Sequence, residues 1–339
     1  MKKLITLSML FMATVLFAQE ETPAPSFSVS GSIDAYYRAN LNAPDMVAPG
    51  SSFANLPGFA LGMANVVMSY EGEKVGFVAD LVFGPRGEDA IFNSPLLRVP
   101  GGSSNIVNQL YAYWNVSESI TLTMGNFNTF LGYEVISPTA NFNYSTSYLF
   151  SYGPFSHTGL KADIALGEDF SLMLGVMNDT DATEFNPTGD YAFGAQLGYA
   201  GQYLNFLLDP SFTEIDFTGG FDLSDDFFLG INAAYLTTED DGPGFAGVAL
   251  YPQLATSDSF TIGLRGEYFV EDMDFGAIGT GVDDSSVFAV TLTGSFAIDN
   301  LTIKPELRLD SASDDFFLDS DLAAQKSLSS FVLAAIYSF

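Results

Sequence analysis

An antiparallel up-and-down β-barrel of about sixteen strands, set in an outer membrane, is the fold that this sequence predicts. Three observations predict it. Runs of about ten residues with one apolar and one polar parity recur along the chain. The connectors between them alternate short and long. An N-terminal leader is followed by no further apolar stretch long enough for a membrane helix.

In the leader, Lys2 and Lys3 precede an apolar run from Leu4 to Phe17, closed by Ala18 before Gln19 and Glu20. This reads as a secretory signal peptide. Leu16 stands where a small residue is usual, so the cut falls at Ala18 or within a residue or two of it. A membrane anchor would need roughly 18 or more apolar residues. The expected organisation is a signal peptide at 1–18, a short periplasmic segment at 19–25, and a barrel at 26–339 with a long loop at 127–156.

The chain is 47% hydrophobic and 14% aromatic, with no cysteine, so neither disulfides nor thiolate chemistry contribute. Two of the 11 basic residues leave with the leader, and the remaining nine face 41 acids. Such acidity excludes nucleic-acid binding. Disordered acidic chains are poor in aromatic residues, whereas this one has 32 Phe and 16 Tyr.

The clearest alternation sets Leu301, Ile303, Pro305, Leu307 and Leu309 against Thr302, Lys304, Glu306, Arg308 and Asp310. Strands are expected at 27–38, 59–70, 74–84, 105–116, 118–126, 157–166, 168–177, 190–200, 202–208, 214–223, 226–237, 245–254, 259–270, 286–297, 300–310 and 329–339. The least regular are the pair around Asp209 and Pro210 and the strand at 245–254, so fourteen is the alternative. Short connectors such as Glu71-Gly72-Glu73 and Ile298-Asp299-Asn300 alternate with long ones near 39–58, 85–104, 127–156, 271–285 and 311–328. Periplasmic turns and external loops differ in this way. In lipid every backbone group must be paired internally, so such a sheet must close. Tyr36, Tyr37, Tyr70, Trp114, Tyr199, Tyr268 and Tyr337 near strand ends fit aromatic girdles. The last strand ends in Phe339, like the signal by which the outer-membrane assembly machinery recognises its clients.

The stretch Gly125 to Leu160, with Gly132-Tyr133-Glu134, Asn143-Tyr144-Ser145, Gly153-Pro154-Phe155 and His157-Thr158-Gly159, resembles the β-barrel porins of the OmpL-like group. So does GSIDAYYRANLN at Gly31 to Asn42. The rest of the chain resembles that group only in barrel pattern and length. The resemblance implies an outer-membrane channel of undefined substrate and brings no catalytic residues with it.

A barrel of about sixteen strands leaves an aqueous lumen, so function is expected on the polar parity. Five basic residues fall there: Arg38, Lys161, Arg265, Lys304 and Arg308. The acids Asp34, Asp80, Asp163, Glu267, Glu306 and Asp310 join them, with Gln109, Tyr111, Tyr113 and Asn232. These side chains either set ion preference and orient solutes or simply form neighbouring ion pairs. Acids make up about one mature residue in eight, so the stretch 127–156 should hold roughly four; it holds Glu134 alone, and no base. A shielded loop is implied. Either it folds into the barrel as a constriction carrying Tyr133, Glu134, Asn143 and Tyr144, or it packs as a lid through Phe142, Tyr144, Tyr148 and Phe155.

His157 is the only histidine, and no motif around it supplies the Ser and orienting group that a lipid hydrolase would need. The clusters Asp179, Asp181, Glu184 and Asp314, Asp315, Asp319, Asp321 lack the EF-hand pattern and read as solvated loops, the alternative being Ca²⁺ or lipid-bridging divalent cations held through their oxygens. No cofactor, metal or catalytic residue is expected. The leading reading is a passive channel for small hydrophilic solutes or ions; the alternatives are a plugged, partner-binding barrel and a barrel lipid hydrolase. External acids favour cations, while a basic wall would favour anions. Lipid surrounds the barrel, and a homo-oligomer is open because no interface is readable.

Overall fold

The computed structural model describes residues 25–91, 106–186, 188–238 and 242–339; the expected leader and residues 19–24 lie outside the described residues. Sixteen strands form one closed antiparallel barrel. They are β1 (Ser26–Asn40), β2 (Gly58–Glu71), β3 (Val75–Phe83), β4 (Val107–Ser117), β5 (Ile120–Asn128), β6 (Ser156–Ala165), β7 (Phe170–Met177), β8 (Ala192–Tyr199), β9 (Gln202–Leu208), β10 (Phe212–Asp222), β11 (Phe227–Thr238), β12 (Gly244–Ser257), β13 (Phe260–Asp272), β14 (Ser286–Ile298), β15 (Leu301–Ala312) and β18 (Ser327–Ser338). Between the last two, β16 (Phe317–Leu318) and β17 (Ala324–Gln325) form a small separate ladder. Two short helices, α1 (Pro85–Ala90) and α2 (Tyr148–Tyr152), lie in long connectors. Among the described residues no helix is long and apolar enough to cross a membrane; strands make the crossing.

Sixteen strands, not fourteen, close the barrel, and the two irregular regions have local causes. Pro252 has no N–H to donate, so the ladder from β12 to β13 skips Tyr251 and Pro252 and then resumes at Gln253. The β9–β10 connector is a tight turn at the long-loop end. There the Asp209 side chain accepts from Ser211 N and Oγ, and Asp209 N donates to Phe212 O.

Strands β1 and β18 pair from Ser32 with Ser338 to Asn40 with Ser330. Phe339 exchanges two backbone bonds with Gly31, at 3.0 and 3.1 Å, so the last residue takes part in closure. One parity faces outward as an apolar band, including Phe27, Leu110, Phe193, Leu264, Phe288 and Leu333. Tyr37, Tyr70, Trp114, Tyr199, Tyr268 and Tyr337 share that outer parity with the lipid-facing residues. Tyr36 is a correction: it points inward and is 5% exposed, its ring against Tyr144 and its hydroxyl accepting from Leu56 N. It shares the inward parity of β1 with Ser32, Asp34 and Arg38, which alternates without a break; the bulge opposite lies in β2, between Leu61 and Ala64.

Gly125, at φ 138°, lies tight against β4: a Cβ there would come 2.2 Å from Leu110 O and 2.6 Å from Tyr111 Cα. No side chain fits without moving the adjacent strand. Gly125→Ala is therefore expected to lower the stability of the refolded barrel by about 1–3 kcal/mol, seen as an earlier urea midpoint of Trp114 fluorescence; an unchanged midpoint would contradict this packing.

Candidate functional site

The connector from Thr129 to Phe155, here L3, folds inward rather than out. Thr129 N donates to Phe155 O at its neck (3.0 Å). Chain buried in a lumen must find partners for its backbone, and the barrel wall supplies them. Gly132 N donates to Asp216 on β10 (3.1 Å). The Tyr133 ring stacks on Tyr251 of β12 at 4.3 Å. Glu134 pairs with Arg265 of β13 at 2.7 Å, and both are almost wholly enclosed. Ser147 N donates to the second oxygen of Glu134 (2.7 Å).

The far side of L3 is held in the same way. Glu306 on β15 accepts from the backbone N–H groups of Tyr144 and Ser145, from the Ser145 hydroxyl, and from Thr293. The Tyr144 hydroxyl donates to Asp34 on β1 (2.5 Å), and Asn143 donates to Thr293 (2.7 Å). Helix α2 begins over Glu267, whose carboxylate accepts from Tyr148 N and Leu149 N at 3.0 and 2.8 Å; an anion suits this end of a helix. Burial pushes the Tyr133 phenol up to about 12 and the Tyr144 phenol up further, Asp34 adding to the latter, so both stay neutral.

The expected basic residues face inward, but most do not line water. Arg265 donates to Ser145 O (2.6 Å), Arg308 to Thr146 O (2.9 Å) and Lys304 to Asn141 O (2.5 Å) and Pro138 O (3.2 Å). Arg308 also grips Asp310 at 2.8 Å. Arg38 donates to Asp45 O, Val47 O and Asn55 O in the connector after β1. These cations organise loop backbone. Asp80 accepts from Asn65 and Asn108 (3.2 and 2.7 Å), and Gln109 accepts from Asn128 N. The pair left in contact with water is Lys161 and Asp163 on β6, at 2.9 Å, with side chains 23% and 43% exposed. Tyr111 and Tyr113 on β4, across β5 from this pair, are half-buried.

Several interior residues escaped the sequence reading. Arg86 on α1 is 3% exposed and donates to Ile136 O and Tyr144 O, its guanidinium over the Phe53 ring at 4.3 Å. Glu214 and Asp216 sit on the inward parity of β10, a signal the alternation did contain; Asp216 accepts from Asn205 and Asn232. At the long-loop end the inward parity turns apolar: Leu236, Phe245, Phe269, Val287 and Leu328 pack with Tyr148 and Leu149 of L3. A second cluster joins Phe53, Met63, Val82 and Ala90 to Ile136, Phe150 and Phe155. His157 is enclosed, its Nε2 beside Thr129 Oγ1 (3.0 Å) and its ring against Phe130, 5.3 Å between centroids. It braces the neck of L3. Among the described residues no group of His, Asp and Glu is placed to hold a metal ion.

The lumen is therefore stratified. Loops and apolar side chains fill its long-connector half, L3 crosses the middle, and below L3 a cavity of about 640 Å³ opens toward the short turns.

The sequence profile of the family described as beta-barrel porin-2, OmpL-like, matches residues 26–339. No curated protein matches the sequence. Among solved structures, the outer-membrane channel DcaP of Acinetobacter baumannii is similar in fold, with a TM-score of 0.63 at 12% identity over 93% of this chain and 98% of that one. An anion-selective porin from Comamonas acidovorans gives 0.59 at 12% identity over 93% and 100%. OmpT of Vibrio cholerae in its trimer form gives 0.56 at 11% over 93% and 100%.

Removing Glu134 would strand Arg265 in an enclosed site, at a cost of about 3 kcal/mol. Glu134→Ala is thus expected to unseat L3 and expose it to chymotrypsin near Tyr144 and Tyr148 while the barrel stays intact and heat-modifiable on gels. Equal protease resistance in the two proteins would show that the pair does not hold the loop.

Proposed function

Because the chain belongs to the beta-barrel porin-2, OmpL-like family, we propose that its lumen admits small hydrophilic solutes and ions past L3 along the β4–β6 wall. The protein is a porin of a Gram-negative outer membrane, a passive diffusion channel. The observation that carries the route is the stratification of charge: five inward cations are consumed by loop carbonyls and carboxylates, whereas Lys161 and Asp163 stay wet. Solutes entering from the short-turn side meet Tyr113 and Asp163 first, then Tyr111 and Lys161, with Gln109 at the neck of L3 and Tyr133, Glu134, Asn143 and Tyr144 of L3 as the constriction.

Ion preference follows from this arrangement. The external connectors carry many of the acids, among them Asp274, Asp283, Asp284, Asp314 and Asp315, and such a field concentrates cations at the mouth. With Arg265 and Arg308 of the basic wall paired to Glu134 and Asp310, cations are favoured. The channel performs no chemistry of its own and needs no cofactor. Export uses residues 1–18, which are removed; the terminal strand, ending in Phe339, engages the assembly machinery; and barrels associate as a homo-oligomer.

A second reading keeps support from the two apolar clusters that fill the long-connector half: a plugged barrel whose acidic loops bind a partner. Single-channel recording of the refolded chain separates the two. Stable open steps and a cation-selective reversal potential under a salt gradient are expected. Lys161→Ala is expected to raise the cation-to-anion permeability ratio about twofold, and Asp163→Asn to lower it by a similar factor. A folded barrel without conductance would favour the plug.

A further inference from the structure

An aqueous lumen gives no reason to place phenylalanine on its wet parity, yet Phe228 of β11 and Phe142 of L3 are half-exposed in the 640 Å³ cavity, with Tyr133 beside them. Each ring lies on bare backbone. A Cβ at Gly220 would come 2.6 Å from the Phe228 ring, one at Gly230 would come 2.3 Å from the Tyr133 hydroxyl, and one at Gly263 would come 2.4 Å from the Phe142 ring. The three inward glycines are the seats of three aromatic platforms. Between the platforms stand the Gln253 amide and the Ser295 and Thr302 hydroxyls.

Charge is nearly absent from this wall. Among the described residues none that lines the cavity is Asp or Glu, in a chain with 41 of them, and the one cation among them, Lys304, already donates to Asn141 O and Pro138 O. An anionic solute would find its counter-ion occupied, and a cationic one would find no carboxylate. Aromatic faces interleaved with neutral donors and acceptors suit a ligand with apolar C–H faces and equatorial hydroxyl edges. The volume falls within the range of about 300–1,000 Å³ usual for small-molecule sites.

We propose that the short-turn mouth of the lumen, between Phe142, Phe228, Tyr133 and Gln253, is a binding site for neutral saccharides. The site rests on the porin reading only for its physiological use; its occupancy stands separately. Sugar rings pack on the Phe142 and Phe228 faces, and the Gln253 amide and Thr302 hydroxyl bond the sugar hydroxyls. The site holds solute below L3, on the periplasmic side of the constriction, and so retains sugars that have already crossed.

The test is calorimetric titration of the refolded, detergent-solubilised barrel with maltotriose, with sorbitol and benzoate as probes of a polyol without ring faces and of an aromatic anion. Saturable binding of maltotriose without binding of sorbitol is expected. Phe142→Ala and Phe228→Ala should each weaken it roughly tenfold, as expected for loss of one stacked ring, and Phe142→Tyr should restore it. Gly263→Ala, which displaces the Phe142 ring from its seat, should weaken it as well. Folding of every variant is read from heat-modifiable migration, and should Phe142→Ala not fold, Phe228→Ala and Gly263→Ala decide. No maltotriose binding, equal binding of sorbitol, or binding of benzoate alone would overturn the proposal. Salt conductance measured without sugar answers the porin reading by itself, so the two can fail independently.

Discussion

Everything in this molecule follows from the requirement that a chain in hydrocarbon pair all of its backbone N–H and C=O groups. A sheet meets that requirement only when it has no edge. Here the last edge is removed by β1 and β18, down to the two bonds between Gly31 and Phe339. The outward parity can then be apolar throughout, and the inward parity is released from lipid for other uses.

The same requirement reappears inside the barrel. L3 carries its own unpaired backbone into the lumen, and at its level there is little room for water to satisfy it. The wall answers with charged side chains: arginines and a lysine for carbonyls, glutamates and aspartates for amides. A charged group bonding loop backbone is worth more than an exposed ion pair, and it cannot at the same time coordinate a passing ion. The lumen's electrostatics are therefore set less by the number of inward charges than by which of them the loop leaves unspent.

Period-two alternation made the barrel and its inward residues legible, because the side-chain period of a strand is fixed by geometry. It exposed Arg265, Lys304 and Arg308, whose neighbours along the strand are unmistakably greasy. It also pointed to a shielded 127–156 loop through the scarcity of acids. It could not find Arg86, which reaches the lumen from α1, outside any alternating segment. Tyr36 misled because its position near a strand end suits a girdle, whereas it shares the inward parity of Asp34 and Arg38 and packs on the Tyr144 ring. Phe245, Phe269 and Val287 face inward without offending the pattern of an aqueous barrel only because L3 and its neighbouring loops dry that half. No local signal reports where a distant loop will lie.

The residues that hold L3 come from opposite ends of the chain. Asp34, on the first strand, receives the Tyr144 hydroxyl, while Arg265, Glu267, Glu306 and Arg308 belong to strands laid down near the end. The seat of the loop thus exists only once the first and last strands have met. Until that moment L3 has half a binding surface, and the Tyr144 hydroxyl lacks its Asp34 partner. Closure of the wall and docking of the loop are consequently one cooperative event, and the finished barrel is sealed and furnished in the same step.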